Sequence, residues 1–373
     1  MATKHAVFLA KRDRLRQIES KVRSWWEDKS VSSSQTSYKK FLTGIMSKPY
    51  WPWGFQYNSE NRFKSTVNFP SPGEAVRAFS ADATLFTIAD HSADSVDPRN
   101  LTKTLSSVVM QLTQEIEWVE EVLAADQSSF RTGSPSSFPD RAFENQMNLA
   151  VKITKIHFHK PSFCYLQNAR DLYSFSCGSG GGGMNHELVW RYMDVQTRLM
   201  TPICPHYADY VWRELLKKDG PVMKAGFPAA PSPDMNLHAA NEYLHDVIIM
   251  INRKASRDKK ITEENKKATS CLIYVKEQDY EERQELLRMV QSKRDNKSCT
   301  FGDLEEFYMA SPSWESKVIE GNIDLIKRLT GLEDVQALSA TDLDALAKAG
   351  PLFSKLYEKP PFPGHPTVIL LTR

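Results

Sequence analysis

Four long segments with helical periodicity dominate the middle of the sequence and restrict the fold more than any other feature. They read LTKTLSSVVMQLTQEIEWVEEVLAA, PDRAFENQMNLAVKITKIH, MNHELVWRYMDVQTRLMTPICPHYADYVWRELLKK and MNLHAANEYLHDVIIMINRKA. Each segment repeats apolar residues at the spacing of one helix face, and the connections between them are short and polar. Helices of this length with short connections pack naturally as antiparallel neighbours. Residues 79–255 are therefore predicted to form an antiparallel helical bundle.

The third of these segments carries the clearest core pattern. Leu188, Tyr192 and Leu199 are spaced to line one buried stripe, together with Val195. Two prolines, Pro202 and Pro205, follow, and proline removes a backbone donor and clashes with the preceding helical turn. A break or kink is predicted there.

The flanking regions differ in kind from the bundle. Residues 1–45 are predicted to form an amphipathic helix, with Leu15, Ile18, Val22 and Trp25 on one face, followed by a Ser-rich linker. Residues 268–373 contain two short β-branched segments, SCLIYVKE and PTVILLTR, which bracket helical sequence and predict a small α+β domain. A charged linker is expected at 256–267 between this domain and the bundle. The predicted fold class is mainly α, with a small C-terminal α+β domain.

Composition limits the functions that the chain could have. Of its 373 residues, 41% are hydrophobic and 25% charged, which is typical of a globular protein and excludes overall disorder. A net charge of +2 is too small to indicate nucleic-acid binding by itself, so any such binding needs a local patch. The densest basic cluster comprises Arg253, Lys254, Arg257, Lys259 and Lys260. It could contact phosphates, or it could be a solvated tether, since Glu263 and Glu264 follow it.

Cysteine usage and hydropathy favour a reducing, aqueous compartment. The five cysteines are widely spaced, odd in number and lack a CxxC pair, so neither a disulfide framework nor a zinc site is predicted. No segment reaches the ~18 consecutive apolar residues that a membrane span requires. A cytoplasmic protein without membrane contact and without a bound metal is expected. Motifs of hydrolases such as GxSxG and HExxH do not occur in the sequence.

One polar loop has the residue types that hold nucleotide phosphates. Lys64, Ser65 and Thr66 precede a segment of helical periodicity, and lysine and hydroxyl donors on such a loop can bind phosphate oxygens. Solvated surface residues are the alternative. The glycine run at 178–183 does not suggest a phosphate loop, because the residues MNHE follow it and no strand precedes it.

The sequence resembles a known family over most of its length. The stretch YWPWGFQYNSENRFKSTVNF is similar to the segment of eukaryotic cytosolic leucyl-tRNA synthetases that carries the KMSKS signature, and SADATLFTIADHSADSVD resembles the next segment of that family. RLMTPICPHYADYVWRELLKKDG resembles the anticodon-binding bundle of these synthetases, and PTVILLTR their C-terminal domain. The similarity runs from about Met46 to Arg373, and the first helix resembles the N-terminal start of the family.

The resemblance implies a class I aminoacyl-tRNA synthetase, an ATP-dependent ligase of protein biosynthesis, but the catalytic signatures are incomplete. In the family, a nucleotide-binding core with a His-Ile-Gly-His motif and an editing domain lie between the first helix and the KMSKS segment. Here a few residues around SYKKFLTGI take that place, and no His-x-Gly-His occurs. Residues 46–78 therefore resemble a short remnant of the catalytic domain in a shortened form of the family.

The KMSKS signature itself is degenerate. In its place the chain reads Asn61, Arg62, Phe63, Lys64, Ser65, and Val67 replaces a family glycine that is free to adopt positive φ. By resemblance, Lys64 and Ser65 are the retained ATP-binding residues. No catalytic residue is assigned, since the histidines that stabilise the transition state during leucine activation are absent from the sequence. The chain alone is not expected to aminoacylate tRNA.

The family's tRNA-gripping parts are the ones that the chain resembles most, so leucine tRNA is the expected partner, with contacts to shape and backbone. Two alternatives remain open: a protein-interaction module that docks on other synthetases, and a shortened product without a function. DNA is not an expected partner. Because the family's core is missing, Leu15, Ile18 and Val22, with Trp25 and Trp26, are expected to face water and to mark a docking surface.

Overall fold

The structure is a computed structural model, and it describes residues 2–27, 72–90, 101–156, 163–178, 182–261, 269–276 and 314–371. Thirteen α-helices and three strands lie within these residues. The helices of the N-terminal and central regions are α1 (Ala2–Glu27), α2 (Pro72–Ala78), α3 (Ala81–Asp90), α4 (Leu101–Ala124), α5 (Phe138–Ile156), α6 (Phe163–Cys177), α7 (His186–Met200), α8 (Pro205–Tyr210) and α9 (Met235–Ile261). They are followed by β1 (Ser270–Val275), α10 (Trp314–Glu320), α11 (Ile323–Thr330), β2 (Asp334–Ser339), α12 (Leu343–Ala347), α13 (Ser354–Glu358) and β3 (Thr367–Leu371).

The chain divides into two compact units. The first comprises residues 1–134, 147–171 and 184–232, and the second comprises 135–146, 172–183 and 233–373. The predicted fold class is confirmed, because the first unit is helical and the second adds a three-stranded sheet. None of the described helices is long and apolar enough to cross a membrane.

In the first unit, α1 packs against α4 and α8. Leu15, Ile18 and Val22 are buried. Two ion pairs join α1 to α4. Lys11 Nζ lies 2.6 Å from Glu117 Oε2, and Arg14 Nη2 lies 2.6 Å from Glu120 Oε1. The expectation that the apolar stripe of α1 faces water is therefore wrong. The stripe finds apolar partners on helices of its own unit and needs no other protein to cover it.

The two tryptophans of that stripe are half-buried and have specific partners. The indole Nε1 of Trp26 donates to Asp209 Oδ2 at 2.9 Å. The guanidinium carbon of Arg213 lies 4.5 Å from the ring centroid of Trp25, which is a cation–π distance. Both contacts hold the C-terminal end of α1 on the bundle.

The predicted interruption near Pro202 and Pro205 is confirmed. Helix α7 ends at Met200, and Pro205 begins α8, a position where its missing N–H is not needed. Val211–Leu215 then form a π-helical turn. The stripe predicted on α7 is also confirmed, since Leu188, Tyr192, Val195 and Leu199 are all buried.

The sheet of the second unit has the strand order β2-β1-β3. Strand β1 pairs in parallel with β2, where Cys271 lies opposite Val335, and antiparallel with β3, where Cys271 lies opposite Leu370. Strands β1 and β3 are the two β-branched segments that the sequence predicts. Strand β2 was not predicted. Part of the helical sequence predicted between these strands, the stretch YEERQELLRMVQSK, lies outside the described residues.

Alternation along β1 gives the sheet two buried faces. One face belongs to a core cluster that includes Cys271, Ile273 and Val275 with the apolar stripe of α9. The other places Leu272 and Tyr274 in a second cluster with residues of α12 and α13, among them Ala345 and Leu356. Helix α9 continues to Ile261, through the first six residues of the segment 256–267 that was expected to be a linker. The basic cluster therefore lies on a helix.

Candidate nucleic-acid interface

Helix α9 positions the basic cluster. Asp234 caps its start, accepting hydrogen bonds from the backbone N–H of Asn236 at 2.9 Å and of Leu237 at 3.0 Å. The buried stripe of α9 faces the sheet and comprises Tyr243, Leu244, Val247, Ile248 and Ile251. Burial of this stripe fixes which side of the helix faces outward, and so fixes the direction of the residues that follow it.

Arg253 and Arg257 are exposed and lie one helical turn apart, on the side opposite the buried stripe. Within the described residues, neither guanidinium forms an ion pair. Two arginines in this arrangement present several N–H donors to a polyanion, and arginine is well suited to phosphate oxygens. The two arginines also stabilise α9 itself, because cations in the last turns of a helix interact favourably with its dipole.

The other three residues of the cluster have different surroundings. The Nζ of Lys254, which is half-buried, donates to the backbone carbonyl of Val368 in β3. This ammonium therefore has a structural partner. Burial raises the pKa of Cys271 to about 12, and the positive charge of Lys254 opposes that rise. Lys259 and Lys260 belong to α9, but their side chains lie outside the described residues. Lys64 and Ser65 also lie outside the described residues, as does the rest of the degenerate KMSKS segment.

A buried polar network in the first unit was not predicted. Glu115 of α4 accepts hydrogen bonds from Tyr192 Oη at 2.7 Å, from Gln167 Nε2 at 2.8 Å and from Arg170 Nη1. The guanidinium carbon of Arg170 lies 4.4 Å from the ring centroid of Trp118. The partners come from α4, α6 and α7, so the network ties three helices together.

Electrostatics in this network follow from burial and charge. Burial alone lowers the pKa of Arg170, but Tyr192, Glu115 and Asp171 raise it above its usual value, so the guanidinium stays charged. Burial also raises the pKa of Tyr192, which keeps its hydroxyl protonated and able to donate. The sequence pattern does indicate that Glu115 is buried. It lies three residues after Leu112 and four before Val119, on the apolar face of α4.

A second network joins α1, α3 and α8. Asp82 Oδ2 accepts from the N–H of Tyr207 at 2.6 Å, and its Oδ1 lies 2.8 Å from His206 Nδ1. Glu19 Oε1 accepts from the N–H of Asp82 at 2.9 Å. Glu19 thus caps α3, and Asp82 caps α8.

The side chains of Glu19, Asp82 and His206 are chemically suited to hold a metal, and their ligand atoms lie within 4.8 Å of one another. Their bonds to two helix N-termini already account for the arrangement. Burial and the charge of Asp82 raise the pKa of Glu19. Burial lowers the pKa of His206, but Asp82 and Glu19 outweigh it and raise the net value.

Part of the chain is similar to a known family of protein domains. Residues 140–274 match the family described as the anticodon-binding domain of tRNA ligase. The matched range begins in α5 and ends in β1, and it contains the exposed Arg253 and Arg257. The chain thus carries a domain of the kind found in tRNA ligases.

The individual relatives narrow this class. The chain is 36% identical over 397 residues to the cytoplasmic leucine–tRNA ligase of Arabidopsis thaliana, which covers 88% of the chain. It is 32% identical over 219 residues to the cytoplasmic enzyme of Saccharomyces cerevisiae, covering 54% of the chain. It is 31% identical over 223 residues to that of Neurospora crassa, covering 56% of the chain. Over most of its length the chain is therefore similar to cytoplasmic leucine–tRNA ligases. It spans 36% of the Arabidopsis relative, and the other two matches cover 19% and 20% of those relatives.

Proposed function

We propose that the chain binds tRNA through its anticodon-binding domain, with leucine tRNA as the preferred partner, and that these 373 residues do not aminoacylate it by themselves. The observation that carries the proposal is the pair Arg253 and Arg257. They are exposed, lack an ion pair within the described residues, and lie inside the segment that matches the anticodon-binding domain. The relatives are named as cytoplasmic leucine ligases, which supports translation in the cytoplasm as the setting.

The form of recognition follows from the chemistry of this surface. Guanidinium groups on a rigid helix bind phosphate oxygens and hold an RNA in register without reading its bases. Binding of this kind releases counterions and weakens as salt increases. Arg253 and Arg257 are therefore proposed to contact the tRNA backbone. Lys259 and Lys260, which follow in the same helix, are proposed as further phosphate contacts because of their charge. The proposed role of Lys254 is to hold α9 against β3.

The ligase activity of the relatives is not part of the proposal. Leucine activation in the family depends on a His-Ile-Gly-His motif, which this sequence lacks, and the KMSKS segment retains only Lys64 and Ser65. ATP is the cofactor of the family, but its use here would require a catalytic core supplied by another protein. The alternative of docking through α1 has lost its main support, because the apolar stripe of that helix is buried in its own unit.

A filter-binding titration of purified chain with leucine tRNA at several salt concentrations tests the proposal. The double variant Arg253→Ala/Arg257→Ala removes two phosphate contacts, so the slope of log affinity against log salt is expected to become shallower by about 2. The matched control is Arg16→Ala/Arg23→Ala, which removes the same charge from exposed positions on α1. An equal change in both variants would show a net-charge effect and would contradict the assignment to α9.

Leucine-dependent ATP–pyrophosphate exchange tests the catalytic half of the proposal. The expected result is exchange at the level of a sample without protein. Exchange that copurifies with the chain and scales with its concentration would contradict the proposal. Addition of an intact leucine ligase as a positive control shows that the assay conditions support the reaction.

A further inference from the structure

The C-terminal part of the second unit exposes a group of aromatic side chains. The exposed fractions are 54% for Phe362 and 76% for Tyr357. The rings of Phe362 and His365 lie 4.6 Å apart with an interplanar angle of 48°, and Tyr357 packs edge-on against Phe353 at 5.1 Å. Single exposed apolar residues are ordinary, whereas an exposed aromatic ring paired with a second exposed ring is a candidate contact surface.

The backbone holds Phe362 and His365 in a fixed arrangement. The N–H of His365 donates to the carbonyl of Phe362 at 2.8 Å, and the N–H of Phe362 donates to the carbonyl of His365 at 3.2 Å. Pro363 and Gly364 form the turn between them, and Gly364 has a φ of +81°, which favours glycine. The N–H of Gly364 also donates to the buried Glu315 Oε1 of α10 at 2.7 Å. The turn is tied to the body of the unit.

Positive charge accompanies these rings. The Oγ1 of Thr367 donates to the carbonyl of Lys359 at 2.6 Å, which brings the backbone of Lys359 beside the residues that follow His365. Among residues 348–371 the basic side chains are Lys348, Lys355 and Lys359, and the acidic one is Glu358. This balance of charge in the segment that carries the rings suits a polyanion more than an acidic protein segment.

From this juxtaposition we infer that the rings of Phe362 and His365, with Lys359 held near them by Thr367, form a platform on which an unpaired nucleobase of a bound RNA stacks. The inference rests on the proposed function, because it names a second contact for the same RNA. Flat aromatic rings stack on the face of any base, and a neighbouring ammonium contacts the phosphate that follows. A base within a duplex cannot reach the platform, so the contact selects unpaired nucleotides.

Fluorescence anisotropy with two labelled probes tests the platform: a short single-stranded RNA, and a blunt duplex RNA that contains the same sequence. Phe362→Ala is expected to weaken binding of the single strand at least about fivefold, which is the lower end of the contribution of one stacked base. Binding of the duplex is expected to be unchanged. Phe362→Trp keeps an aromatic surface and is expected to bind the single strand at least as tightly as the unsubstituted chain.

The matched control is Phe175→Ala on α6, which removes an equally large side chain that is 57% exposed. The inference is overturned if Phe362→Ala binds the single strand like the unsubstituted chain, if it weakens the duplex equally, or if Phe175→Ala has the same effect. Thermal unfolding of each variant controls for loss of structure. Salt-dependent tRNA binding with a silent Phe362→Ala overturns this inference alone, whereas absence of all RNA binding overturns the proposed function as well.

Discussion

At the scale of single residues, the exposed charges could be read from the sequence, and the buried ones only in part. The basic cluster at 253–260 is visible as a run of charge. Its division into outward-facing arginines and a Lys254 that donates to β3 depends on the direction of α9, which packing sets. The pairing of Glu115 with Arg170 joins residues 55 positions apart, and no local pattern encodes that contact.

Removal of the Glu115 carboxylate is expected to be strongly destabilising. Glu115→Ala leaves the guanidinium of Arg170 buried without its main partner, and breaking a buried ion pair from one side costs about 3–5 kcal/mol. The measurement is the free energy of unfolding in urea. The control is Glu117→Ala, which breaks a partly exposed pair with Lys11 and is expected to cost less than about 1 kcal/mol. Similar losses in the two variants would contradict the role assigned to Glu115.

The retained lysine of the degenerate KMSKS segment gives a second test. Lys64→Ala is expected to change tRNA affinity by less than about twofold, because the contacts that bind tRNA are assigned to α9 and to the aromatic platform. The measurement is the filter-binding titration at one low salt concentration, with Arg257→Ala as the comparison. A loss with Lys64→Ala larger than that with Arg257→Ala would show that the loop still takes part in binding.

At the scale of elements, the sequence predicted most of what local periodicity encodes. The bundle helices, the interruption at Pro205 and strands β1 and β3 follow from spacing, proline chemistry and β-branched composition. Strand β2 could not be predicted in this way. Its sequence DVQALS buries only Val335 and Leu338, three residues apart, so it lacks alternation and exists because β1 offers it a partner. The docking of α1 was mispredicted for a similar reason, since its partners on α4 and α8 are distant in sequence.

The network under α1 predicts a specific dependence of stability on pH. His206 faces Glu19 and Arg23 of α1 and Asp82 of α3, stacks on Trp26 with ring centroids 4.8 Å apart, and has a raised pKa. A raised pKa means that the folded state binds the proton more tightly. The stability from this group is therefore fully present below pH 6.5, its usual value, and is lost as pH rises through the folded-state value.

The measurement is the free energy of unfolding of the intact chain and of His206→Gln, each at a series of pH values from below to above the usual histidine pKa. The unsubstituted chain is expected to lose stability as pH rises across this range, and the variant to lose less. Glu19 also has a raised pKa, so the stability that it contributes is likewise lost as pH rises. That loss begins at a lower pH, above 4.5. Parallel stability curves for the two proteins above pH 6.5 would contradict a role for His206.

At the scale of the whole chain, the second unit has two features that suit the same kind of partner. The second unit carries the exposed arginines of α9 and the aromatic platform, and the matched anticodon-binding domain draws residues from both units. The family could be recognised from the sequence, because long collinear similarity does not depend on any single motif. The surfaces proposed to bind RNA could not be predicted in this way, because the fold decides which of their residues face outward.

The most direct test of the account is the equilibrium affinity of the purified 373-residue chain for leucine tRNA, measured at low and at physiological salt. We predict clear binding at low salt and a steep loss of affinity as salt rises, because contacts to phosphates release counterions. Absence of binding at low salt, or an affinity that does not change with salt, would contradict the central claim that the chain retains a working tRNA-binding surface.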